Sequence, residues 1–127
     1  MHIQLEPADN NAIRSYTTTH ITAGNSSYQN SIIIHRDTII SPWHIHSLQE
    51  LDEKNLDQAL QLNPEIIIIG HQQPGTLIPI TVMAYLSKQR VGIECMSIGA
   101  ASRTFNVLLS EQRRVVAGII FAKPSDL

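Results

Sequence analysis

The sequence holds one cysteine, Cys95, so no disulfide can form within the chain, and a lone thiol suits a reducing compartment. Aromatic residues make up only 5%, with a single tryptophan, Trp43. Charge is scarce in both signs: nine basic residues stand against eleven acidic ones, for a formal net charge of −2. That balance supplies no electrostatic footprint for phosphate backbones, so nucleic acid is not an expected partner. The one basic cluster, Arg113-Arg114, is too small to alter this. No apolar run approaches the ~18 residues of a membrane span. The stretch from Met1 to Pro7 lacks a basic flank followed by an apolar core, so no secretory signal is expected. Together these absences predict a cytoplasmic protein. Glycine-rich nucleotide fingerprints are missing, as is a Gly-x-Ser-x-Gly context around Ser87, Ser97 or Ser102.

What is present centres on Pro64-Glu65-Ile66-Ile67-Ile68-Ile69-Gly70. Four consecutive isoleucines leave no polar face, so the run reads as a strand buried on both sides. Gly70 ends it, and His71 to Thr76 form a polar loop before a helix predicted over 77–89. Val82, Met83 and Leu86 are expected on that helix's buried face, with Pro79 tolerated in its first turn. Val91 to Met96 reads as a second core-like strand, giving a parallel β-α-β unit. In open α/β sheets, ligands sit at the carboxyl ends of such strands.

Around this unit, 127 residues at 43% hydrophobic and 16% charged describe one domain of ordinary size, residues 1–127. Residues 1–12 read as a loose N-terminal arm. Strands over 13–22, 31–35 and 39–40 suggest an antiparallel β-meander, which Ser41-Pro42-Trp43 interrupts. Asp52 is placed to cap a helix carrying Leu56, Ala59 and Leu60, stopped by Asn63-Pro64. A third helix over 100–110 and a final strand over 115–121 follow, with order expected to end at Pro124. The fold class is α/β (α+β): a mixed sheet with a central parallel β-α-β unit, packed helices and the N-terminal meander.

Several segments, in order and spacing, carry a family resemblance: Glu65 to Gly70, Gly92 to Met96, Gly99-Ala100-Ala101-Ser102-Arg103-Thr104-Phe105-Asn106-Val107-Leu108, and Glu111 to Val115. With the Pro42-Trp43 element, the chain from Ile13 to Phe121 resembles the Mth-domain family, whose biochemical function is unknown. That family includes an assembly factor for mitochondrial respiratory complex I and an adipogenesis-associated protein. The resemblance implies the same mixed sheet and a role in recognising another protein. Three departures stand out: Gly70-His71-Gln72 where relatives carry Gly-Thr-Gly, Ile98 in place of a threonine, and Glu111-Gln112-Arg113 in place of Glu-Gly-Arg. The first two lie where a ligand would touch the loops.

Arg103, Thr104 and Asn106 are polar residues in an apolar helix. They either present Arg103 to an anion in a cleft or satisfy buried backbone groups. The 70–76 loop either binds an anion at the start of the second helix or is a plain turn. His44 and His46, with His71, have the donor type of a metal site but no carboxylate or cysteine at fixed spacing, and no metal or cofactor is expected. Cys95 reads as a small core hydrophobe. Trp43 either packs across a core edge or anchors a partner. The candidate ligand or partner residues are therefore Gly70, His71, Ser97, Arg103, Thr104, Asn106 and Trp43. Two functions follow. One is a non-enzymatic protein-binding or assembly module, linked through the resemblance to complex I. The other is a small-molecule-binding protein or enzyme with a cleft near Gly70, Ser97 and Arg103. Monomer and homodimer are both compatible with the sequence.

Overall fold

The isoleucine run does form a strand with no solvent face, and its neighbours explain why. In the computed structural model, which describes residues 11–123, it lies inside a five-stranded mixed sheet. The strands of that sheet are β4 (Ile32–Ile34), β5 (Ile39–Ile40), β6 (Ile66–His71), β7 (Gly92–Ser97) and β8 (Val115–Ile119), in the order β5-β4-β8-β6-β7. β6 runs parallel to both β7 and β8, whereas β4 pairs antiparallel with β8 and β5. Because side chains alternate across a strand, Ile67 and Ile69 enter one core while Ile68 enters the other.

The first core is roofed by α1 (Glu53–Leu60) and α2 (Ile80–Lys88), which contribute Leu56, Ala59, Val82 and Leu86. Asp52 caps α1 as expected: its side chain accepts from the Asn55 amide at 2.8 Å, and Asn55 Oδ1 accepts from the Asp52 amide at 3.0 Å. Trp43 lies in this core, 3% exposed, with its ring over Gly118; a Cβ there would fall 2.7 Å from Trp43 Cζ3. Its indole Nε1–H donates to the Asn55 carbonyl at 2.9 Å.

The second core is covered by α3 (Ile98–Ser110), through Ile98, Ala101, Phe105 and Leu109. Gly70 lets that helix approach β6, since a Cβ at 70 would meet Ala101 Cβ at 2.8 Å. Both α2 and α3 end in Schellman geometry. The Arg90 and Val91 amides donate to the Ser87 and Leu86 carbonyls, and the Gln112 and Arg113 amides to those of Leu109 and Leu108. Arg90 and Gln112 accordingly adopt φ of 59° and 62°.

Five expectations need correction. The 13–22 segment is two strands, β1 (Ile13–Tyr16) and β2 (Ile21–Ala23), folded at Thr17–His20 where the Thr17 amide donates to the His20 carbonyl. With β3 (Ser26–Tyr28) they form a separate three-stranded antiparallel sheet, while 31–40 joins the main sheet instead. The 91–96 strand is at the sheet edge, with Gly92 and Glu94 exposed, because β8 inserts between β4 and β6. The helix expected from Leu77 begins at Ile80, since Pro79 keeps extended backbone at the cap. Its Met83 is 48% exposed, turned away from the face that Val82 and Leu86 bury. Residues 1–10 of the expected arm, and Pro124, lie outside the described residues. Asn11 is tied down, its Nδ2 donating to the His35 carbonyl at 2.9 Å.

Candidate functional site

β6 and β7 end side by side, and α3 starts without a loop, so Ser97 is both the last residue of β7 and the N-cap of α3. Its Oγ accepts from the Ala100 amide at 3.2 Å, as a capping serine does. The Gly99 amide, in the same first turn, has no acceptor within the helix. A cleft of about 410 Å³ opens here. It is bounded by His71, Gln72 and Pro74 after β6, by Tyr16, Thr17 and Thr18 at the end of β1, and by Ser97, Ile98 and Gly99.

The walls are held by specific bonds. Gln72 staples the post-β6 loop on two sides, its Nε2 donating to the Thr18 carbonyl at 2.6 Å and its Oε1 accepting from the Ala122 amide at 3.0 Å. Tyr16 stands over Gly99, where a Cβ would come within 2.5 Å of the phenol oxygen. That oxygen accepts from Arg103 Nη1 at 3.2 Å. His71 is 8% exposed, and its Nδ1 accepts from the Gln73 amide at 3.1 Å. Burial pushes its pKa below the ordinary histidine value, favouring the neutral ring.

Of the sequence candidates the cleft thus brings together His71 and Ser97, with Gly70 packed beneath α3 next to His71 and Arg103 reaching the cleft only through Tyr16. Thr104 and Asn106 do not orient Arg103. Thr104 Oγ1 lies 3.4 Å from Met96 Sδ, and the Asn106 amide bonds both backbone groups of Ile13. Trp43 sits in the core on the other side of the sheet, where its burial leaves no ring surface for a partner. The helix whose first turn borders this cleft is α3, whereas the sequence reading set the 70–76 loop against the start of α2. The pairing of Tyr16 with Gly99 was missed, because it crosses 83 residues and no local pattern links the two.

Other candidate chemistry is not assembled. Among the described residues, no group of three or more His, Cys, Asp or Glu side chains is placed to hold a metal ion, so His44, His46 and His71 do not converge. Burial pushes the Cys95 thiol up to about 11, which keeps it protonated at neutral pH. No helix among the described residues is long and apolar enough to cross a membrane.

Comparison with known proteins decides the family. The model of a family described as protein of unknown function (DUF498/DUF598) matches residues 13–120. The chain belongs to this family. A solved Bordetella pertussis protein, titled a Mth938-like domain, shares the fold with a TM-score of 0.80 at 20% identity, covering 99% of this chain and 96% of its own. The Mth-domain resemblance and its mixed α/β architecture are therefore correct. The 13 kDa major membrane protein of Francisella tularensis is 33% identical over 76 residues, which are 60% of this chain and 62% of that one. The Drosophila melanogaster NADH dehydrogenase [ubiquinone] 1 alpha subcomplex assembly factor 3 is 27% identical over 82 residues, covering 61% of this chain and 42% of its own. The chain thus spans less than two thirds of either relative's length.

Proposed function

We propose that this chain is a non-enzymatic protein-recognition module of the cytoplasm that serves assembly of a larger complex, in line with the assembly factor it resembles. The observation that carries this is the apolar surface of α2 and its lead-in. Leu77 and Ile80 are each 84% exposed and Met83 is 48% exposed. Ile80 and Met83 lie one turn apart on the same side of the helix, and clustered exposed apolar residues mark interaction surfaces. The likeness to a complex I assembly factor supports a respiratory-chain subunit as the partner.

Native mass spectrometry of the tagged protein, purified gently from its own cells, tests this. A respiratory-complex subunit should co-purify with the wild type and be lost from Ile80→Glu/Met83→Glu, with Tm unchanged. A chain that comes out bare, or a partner that survives the double substitution, would overturn the reading. The cleft at the β6 and β7 ends supports a second one, a small-molecule site, because its volume and position suit one.

A further inference from the structure

His71 is an unusual wall residue. The residue is more than nine-tenths buried, yet it borders two adjoining depressions, of about 410 and 280 Å³, which both also touch Pro74 and Ser97. A backbone amide can only donate, so the bond from the Gln73 N–H makes Nδ1 the acceptor. In the neutral ring the proton then sits on Nε2. Among the described residues Nε2 has no protein hydrogen-bond partner, and since no fully sealed side-chain polar atom lacks one, Nε2 keeps some exposed surface on a residue that borders both clefts. A largely buried donor without a protein acceptor is available to an acceptor group on a ligand.

The surroundings supply further donors. The α3 first turn presents the Gly99 amide at the positive end of a thirteen-residue helix. The Tyr16 phenol oxygen already accepts from Arg103, which leaves its own proton to give. None of the residues bordering the larger cleft is acidic, and Ile98 and Pro74 provide apolar wall. Resting on the small-molecule reading of the cleft, we infer that it binds a small organic carboxylate, whose carboxyl group accepts from His71 Nε2–H and the α3 first turn while its apolar body lies against Ile98 and Pro74. The volume, about 410 Å³, lies within the range of small-molecule pockets.

A titration of the whole ¹⁵N-labelled chain, followed by NMR, tests this with straight-chain monocarboxylates, their primary amides, and sodium chloride at matched ionic strength. The expected result is saturable shifts of the Gly99 amide and the His71 ring for the carboxylates, tightening with chain length, and none for chloride. His71→Phe should weaken this binding about tenfold, the loss of one hydrogen bond to a charged group. His71→Gln, whose amide nitrogen can occupy the Nε2 position, should recover most of it. Amides that bind as well as the acids would overturn the carboxylate assignment and leave the small-molecule reading standing. Silence toward both series in the wild type would overturn both, with no variant needed. A chloride response equal to that of the acids would also overturn the inference.

Discussion

The Asn106 side chain holds both backbone groups of Ile13. Its Oδ1 accepts from the Ile13 amide and its Nδ2 donates to the Ile13 carbonyl, each at 2.8 Å. Those two bonds fasten the first strand of the small sheet to α3, where a ladder neighbour would otherwise be needed. Asn106→Leu should therefore destabilise the chain by about 2 kcal/mol, since both backbone groups lose their partner in a half-buried position. Arg103→Ala, on the exposed face of the same helix, should cost less than about 0.5 kcal/mol. Urea denaturation followed by Trp43 fluorescence measures both. Equal costs for the two variants would refute the structural role given to Asn106.

Gln112 occupies a left-handed position with φ of 62° at the end of α3, where two backbone bonds to Leu108 and Leu109 close a Schellman motif. A side chain there costs about 1 kcal/mol relative to an ordinary conformation, a strain that glycine does not feel. Gln112→Gly should raise stability by up to about 1 kcal/mol, even though it deletes the exposed Arg36–Gln112 bond of 3.2 Å. Gln112→Val should lower it. A loss of stability on the glycine substitution would show that the Arg36 bond, not backbone strain, decides this corner.

The sequence was readable where the physics is local. Ile66 to Ile69 announced a strand without a solvent face, and Asp52 announced a cap. It was not readable where a distant residue decides. Nothing near Val115 says that β8 inserts between β4 and β6, and that insertion is what makes β7 an edge. Trp43 is buried because Gly118, far along the chain, leaves room for its ring. The cleft was half legible: the carboxyl-end rule pointed to Gly70, His71 and Ser97, while Tyr16 arrives from another sheet. The α2 surface was misread because Met83 fits an apolar stripe, and a stripe does not say which of its members the sheet is wide enough to cover.

Glu65 offers a test of surface electrostatics. Its Oε1 accepts from Arg113 Nε at 2.8 Å and from the Arg114 amide at 3.0 Å. The Arg113 bond first, then the Arg114 amide, hold its carboxyl below the ordinary glutamate value in the folded chain. A depressed folded pKa contributes stability that is complete above the unfolded value and fades as pH falls through the folded one. The difference between wild type and Glu65→Gln should thus favour wild type at neutral pH and vanish well below pH ~4. It should be small and shrink in salt, because the pair is exposed. Urea midpoints at several pH values give the answer, and a gap that persists unchanged in acid would contradict the linkage.

Cys95 lies on the edge strand β7, half-covered, yet its thiol is pushed up to about 11 by burial alone. An edge position invites the view that this lone cysteine is a reactive group, since it also borders the smaller depression beside His71. The thiolate is the species that reacts, and no cationic side chain is among the causes acting on this thiol to favour it. A disulfide reagent at pH ~8 should therefore modify the folded chain on the order of a hundredfold more slowly than the urea-unfolded one, whose thiol titrates near ~8.5. Comparable rates in the two states would mean that Cys95 is activated in the fold, and would reopen it as a nucleophile.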